Sequence, residues 1–102
     1  MKVLRYGGEI MYIILVYDIS TDDIGKRNIT KVFKICKKYL SHVQRSTFEG
    51  ELTQSQLFKL KRELSQYIRK DLDSVIIFHT NNEKWLKKEF WGIEYDASSN
   101  MI

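Results

Sequence analysis

The run YIILVY, residues 12–17, closed by Asp18 and followed by ISTDD, does most to limit what this chain can become. Six apolar and aromatic residues, rich in β-branching and bounded by a polar turn, predict a strand that can be buried on both faces. No apolar run approaches the roughly 18 residues of a membrane span, and no signal-peptide pattern precedes a cleavage site. A buried strand that ends in a carboxylate needs a reason for that carboxylate. One is local: aspartate makes turns and caps helices. Another is chemical, because an acid at a strand end can hold a metal. The residues leave both open.

The rest of the chain predicts what this strand packs against. Asp22 or Thr21 can cap a helix reaching to about Leu40, with Asp22 and Asp23 at its positive end. Ile29, Val32, Phe33, Cys36 and Leu40 recur at helical spacing and form its apolar face. Gly25 near its start weakens it slightly. Residues 42–52, HVQRSTFEGEL, are extended by composition, as one bent strand or a tight pair. Thr53 to Gln56 fits a capping box opening a second helix, with Leu57, Leu60, Leu64 and Ile68 buried. Residues 73–80, DSVIIFHT, read as a further strand.

With the middle stretch as a pair, the order is βαββαβ, an α+β ferredoxin-like layout with both helices on one face of an antiparallel sheet. The other face is then left for Val43, Phe48, Ile76 and Phe78 to line, and a second copy of the chain is its simplest cover. A chain of 102 residues buries only about two-thirds of its unfolded surface, which also favours association. Expected boundaries are an extension over 1–10, a domain over 11–95 and a polar tail over 96–102. The extension is predicted because Met11 opens the strand and Gly7-Gly8-Glu9 fits a purine-rich ribosome-binding stretch just ahead of it. The single cysteine, Cys36, cannot form an internal disulfide and fits a reducing, cytoplasmic setting as a small core residue.

Net charge is +4, and its distribution matters more than its size. Lys26, Arg27, Lys31, Lys34, Lys37 and Lys38 lie within 26–38 with no acid among them. Four of these, Arg27, Lys31, Lys34 and Lys38, fall within roughly 60° on a helical wheel, opposite the apolar face. A solvated helix face commonly alternates sign, so this stripe suits phosphate backbones without sequence specificity. The second helix adds Lys59, Lys61, Arg62, Arg69 and Lys70. His42 and His79 lack metal-ligand spacing and read as structural. Gly7-Gly8 is followed by no Gly-Lys-Ser/Thr, so it is no phosphate loop. Trp85, Phe90 and Trp91 read as packing residues ahead of base-stacking ones.

In this order, ILVYDIS (14–20), Lys26-Arg27, VQRSTFEGEL (43–52), DSVIIF (73–78) and KWLKKEFWGIE (84–94) resemble the CRISPR-associated protein 2 family, over essentially residues 11–102. The resemblance implies a ferredoxin-like two-fold homodimer with facing sheets and an additional C-terminal strand, so that Gly92–Tyr95 or the tail crosses to the partner. It implies that Asp18 faces its mate, binds Mg²⁺ or another divalent cation, and serves a metal-dependent endonuclease of single-stranded RNA or duplex DNA. Lys26, Arg27, Lys31, Lys34, Lys38 and Arg45 would be the nucleic-acid contacts, and Tyr17, Ser20 and Phe48 the neighbours of the acid. The implied role is spacer acquisition in antiviral defence, beside the larger CRISPR integrase and with no membrane partner. Alternatives are a non-catalytic DNA-binding scaffold of the integrase complex and a toxin-like ribonuclease of the same fold. His42 stands where some relatives carry arginine, and residues 1–10 are expected to have no counterpart.

Overall fold

The computed structural model describes residues 4–5 and 8–92. The elements are β1 (Leu4–Arg5), β2 (Gly8–Asp18), α1 (Asp23–Tyr39), β3 (Ser41–Gln44), β4 (Thr47–Thr53), α2 (Gln54–Ser65) and β5 (Ser74–Thr80), followed by a 3₁₀ turn at Glu83–Trp85. The buried run lies in the central strand. β2 pairs antiparallel with β4 on one side and β5 on the other, β3 flanks β4, and the two-residue β1 folds back on Gly8 and Glu9. The order β3-β4-β2-β5 with two helices is the expected ferredoxin-like sheet.

Alternation along β2 sorts its side chains. Met11, Ile13, Leu15 and Tyr17 enter the core with Val32 and Cys36 of α1, Leu57, Leu60 and Leu64 of α2, and Phe48 and Leu52 of β4. Tyr12, Ile14, Val16 and Asp18 point to the opposite face, in register with Thr80, Phe78, Ile76 and Ser74 of β5. Phe48 corrects an expectation. It pairs with Leu15, is fully buried beneath the helices and lines no part of the open face. Ile76 and Phe78 do lie there, 51% and 56% exposed.

Three local details differ from or resolve the sequence reading. β2 begins at Gly8, three residues ahead of Met11, and Ile10 already pairs with Thr53. The 42–52 stretch is a tight pair, turned at Arg45-Ser46. α2 has its capping box, with Thr53 Oγ1 accepting from the Gln56 amide, but ends at Ser65, so Ile68 packs from the link that follows. Among the described residues beyond Trp85 there is no strand. Lys88 reaches back to Glu49 at 2.7 Å, and Phe90 and Trp91 stand over Ile14, Val43 and Thr47, around a cavity of about 260 Å³ on the chain's own open face. Of the predicted crossover Gly92–Tyr95, all but Gly92 lies outside the described residues, as does the tail.

Candidate active site

Asp18 ends β2 on the open face, exposed and opposite Ser74 of β5. The segment behind it is held by a buried acid. The Asp73 carboxylate accepts from the Ser20 amide (2.9 Å), from the Arg69 amide (2.9 Å) and from Arg69 Nε (3.3 Å). Burial opposes its ionisation, but these donors together outweigh burial and hold its pKa below the ordinary value. The Arg69 guanidinium forks onward to both Asp22 oxygens at 2.8 Å, and Asp22 caps α1 by accepting from Gly25 N. Arg69, with the Gly25 amide assisting, pulls the Asp22 pKa down to about 2. Arg69 is thus committed to two carboxylates within the fold.

Gly25 is required where composition read it as a weakness. A Cβ there would stand 1.7 Å from the Ser20 carbonyl oxygen, so only glycine lets α1 start this close to the loop after Asp18. On the other side of the strand end, Tyr17 N donates to Ser46 O at 3.1 Å, tying the β3–β4 turn to β2. Arg45 in that turn takes φ of 41°, and His42 Nε2 lies 2.8 Å from its carbonyl oxygen. His42 is buried against the rings of Phe33 and Phe48, so it is structural, as read from the sequence.

The basic positions separate in space. Lys26 and Arg27 are exposed in the first turns of α1. Lys31 sits over the Tyr67 ring at 5.5 Å, and Lys38 pairs with Glu63 of α2, so both lean toward the second helix. Lys34 and Arg45 line one groove with Tyr17. Of the expected neighbours of Asp18, Tyr17 and Phe48 stack on each other inside the core (6.1 Å between centroids), and Ser20 is engaged through its amide by Asp73. Cys36 is buried, which pushes its thiol up to about 12.

Sequence reasoning missed Asp73 and Glu49. Glu49 on the open face accepts from the Tyr12 hydroxyl (2.6 Å) and pairs with Lys88. Burial opposes its ionisation, but Lys88 and Tyr12 outweigh it and lower its pKa. The only sequence signal for Glu49 was an acid within an otherwise half-buried strand. Asp73 had none beyond its place before β5.

The geometry leaves the exposed Asp18 carboxylate at a strand end, beside an apolar sheet face that the helices do not cover. Among the described residues, no cluster of three or more histidines, cysteines, aspartates or glutamates could hold a metal. A family model for CRISPR associated protein Cas2 matches residues 11–88. The chain belongs to the Cas2 family. It is 49% identical to the CRISPR-associated endoribonuclease Cas2 of Fusobacterium nucleatum, over all of this chain and 96% of that one. It is 40% identical to CRISPR-associated endoribonuclease Cas2 2 of Moorella thermoacetica, over 87% of this chain and 99% of that one. A crystal structure of Cas2 superposes with a TM-score of 0.73 at 31% identity, covering 91% of this chain and 99% of that one. Streptococcus pyogenes Cas2 gives 0.67 at 26% identity, over 78% and 99%. The Fusobacterium alignment spans residues 1–10 as well, so that segment has a counterpart in at least one Cas2 relative, against expectation.

Proposed function

We propose that this Cas2 protein is a CRISPR-associated endonuclease that works as a two-fold dimer, with the Asp18 carboxylates of both copies forming one metal-dependent site. The observation that carries this reading is the position of Asp18: exposed, on the sheet face without helices, at the edge of a patch containing Ile76 and Phe78. Burying such a patch against its own symmetry mate satisfies the hydrophobic demand. The same two-fold contact would bring two carboxylates together.

The donor set fits a divalent cation only in that paired form. One carboxylate holds Mg²⁺ weakly, since the ion takes six oxygen ligands and keeps several waters; two carboxylates plus waters are a recognised set. When bound, Mg²⁺ supplies charge stabilisation at phosphate and a more acidic water. The protein's own part is to fix Asp18. Asp73 does so by gripping the Ser20 amide, and Ser74 pairs beside Asp18 in the sheet. Lys26, Arg27, Lys31, Lys34 and Arg45 would draw the phosphate backbone to this end of the molecule, with Lys38 weaker because Glu63 competes for it. The names borne by the relatives favour RNA as substrate.

A scaffold role in spacer acquisition, gripping duplex DNA beside the CRISPR integrase, is a second reading. It is favoured by Lys26, Arg27, Lys31 and Lys34 of α1, which form no ion pair among the described residues and lie on the helical layer while Asp18 lies on the other face of the sheet. One experiment separates the two: cleavage of labelled single-stranded RNA and duplex DNA with and without Mg²⁺, in the parent and in Asp18→Asn. The enzyme reading expects metal-dependent cutting that falls to background in Asp18→Asn, with size and circular dichroism unchanged. Binding without cutting in both proteins supports the scaffold.

A further inference from the structure

Between α1 and the β3–β4 turn runs a groove of about 530 Å³, lined by Tyr17, Ile29, Thr30, Phe33, Lys34, Arg45 and Ser46. Its volume lies in the range of small-molecule sites. The wall is apolar and aromatic, with Ile29 still 39% exposed and Phe33 only partly buried. Its two charged residues are both cations. Neither Lys34 nor Arg45 forms an ion pair among the described residues, unlike Lys38, Arg69 and Lys88. Among the described residues no acid lines the groove.

Two further features point to a ligand. Tyr17 is almost wholly buried, yet among the described residues its hydroxyl has no hydrogen-bond partner and is not sealed from solvent. Arg45 is held in the left-handed region, which for a residue with a Cβ costs about 1–2 kcal/mol. Observed strain of this kind at a groove rim is a reason to look for function. The His42 contact and the Tyr17–Ser46 hydrogen bond fix the turn in that conformation.

We infer that this groove receives one unpaired nucleobase of a single-stranded nucleic acid, whose adjoining phosphate is held by Lys34 and Arg45. An aromatic and aliphatic wall suits the face of any base, hydroxyls of Thr30, Ser46 and Tyr17 suit base edges, and the paired cations suit the phosphate. A base within a duplex enters only after being unstacked and unpaired, at a few kcal/mol. The groove therefore selects unpaired strands. Tyr17 and Asp18 are consecutive and point to opposite faces, so a strand rounding the end of the sheet meets the groove on one side and the carboxylate on the other. This assignment rests on the nucleic-acid reading above and adds to it the place on the chain where an unpaired base is held.

The test uses the full-length protein with a short single-stranded RNA carrying one fluorescent adenine analogue, and with a matched duplex. Ile29→Gln alters an exposed wall residue and keeps both cations. It is expected to weaken single-strand binding severalfold through lost apolar contact with the base face, to reduce the quenching of the analogue, and to leave duplex binding unchanged. Arg45→Gly suits the positive φ and is expected to lower the salt slope of binding by about one phosphate contact. Unchanged quenching in Ile29→Gln, or an equal loss for single strand and duplex, overturns the groove assignment while leaving nucleic-acid binding intact. A parent protein that binds neither form overturns the underlying reading itself, so the two failures are distinct.

Discussion

The two faces of the sheet are built from the same kinds of residue and do different things. On the helical face, Ile13, Leu15, Phe48 and Leu60 are fully buried and set the stability of the fold. On the other, Ile14, Val16, Ile76 and Phe78 form an apolar surface that two helices do not cover and that Phe90 and Trp91 reach only on the β3–β4 side. A protein that needed only to fold would place polar residues there. The comparison teaches that an apolar residue in this sheet is buried beneath the helices or left on the uncovered face according to its parity along the strand. Asp18 lies on the uncovered face.

Substitutions can break this contrast or sharpen it. The largest effect is expected from Phe48→Ala, which opens a cavity beneath both helices and should destabilise by about 3–5 kcal/mol in urea unfolding, much of a small domain's total. A loss near zero would place Phe48 outside the core. Phe78→Lys, on the other face, should change monomer unfolding by only about 0.5 kcal/mol, while light scattering shows a shift from dimer to monomer. If it instead unfolds the chain and leaves size unchanged, the contrast between the faces fails.

The smallest effect concerns the acid network that carries the loop behind Asp18. Asp22 and Asp73 have pKa values lowered in the folded state, so the stability they contribute is present above the ordinary value of 3.8 and is lost as pH falls through their folded values, which for Asp22 is about 2. Arg69→Gln should flatten the stability profile across that window, and urea midpoints measured at several acid pH values would show it. An unaltered slope would mean that Arg69 is not what lowers these carboxylates.

Much of this was legible in the residues. The buried run, the capping box at Thr53, the aspartate cap of α1 and the apolar spacing of both helices depend on short-range chemistry, so they are read from neighbours three or four positions away. Phe48 was assigned to the wrong face because its parity depends on where the β3–β4 turn falls, and a one-residue shift in register exchanges the faces of a strand. The open face followed from element order, whereas the placing of Asp18 at its edge was implied only by the family resemblance.

What the sequence determined by itself is therefore the set of elements, their order and the acid at the end of the central strand, since propensity, capping and periodicity are local. Tertiary structure alone decided which cations remain available. Arg69 is consumed by Asp22, and Lys38 by Glu63, across separations of 47 and 25 residues. It also decided that Lys34 and Arg45 meet beside Tyr17. Each of these depends on which distant groups come within a few ångströms, and Coulomb and steric energies are settled at that range.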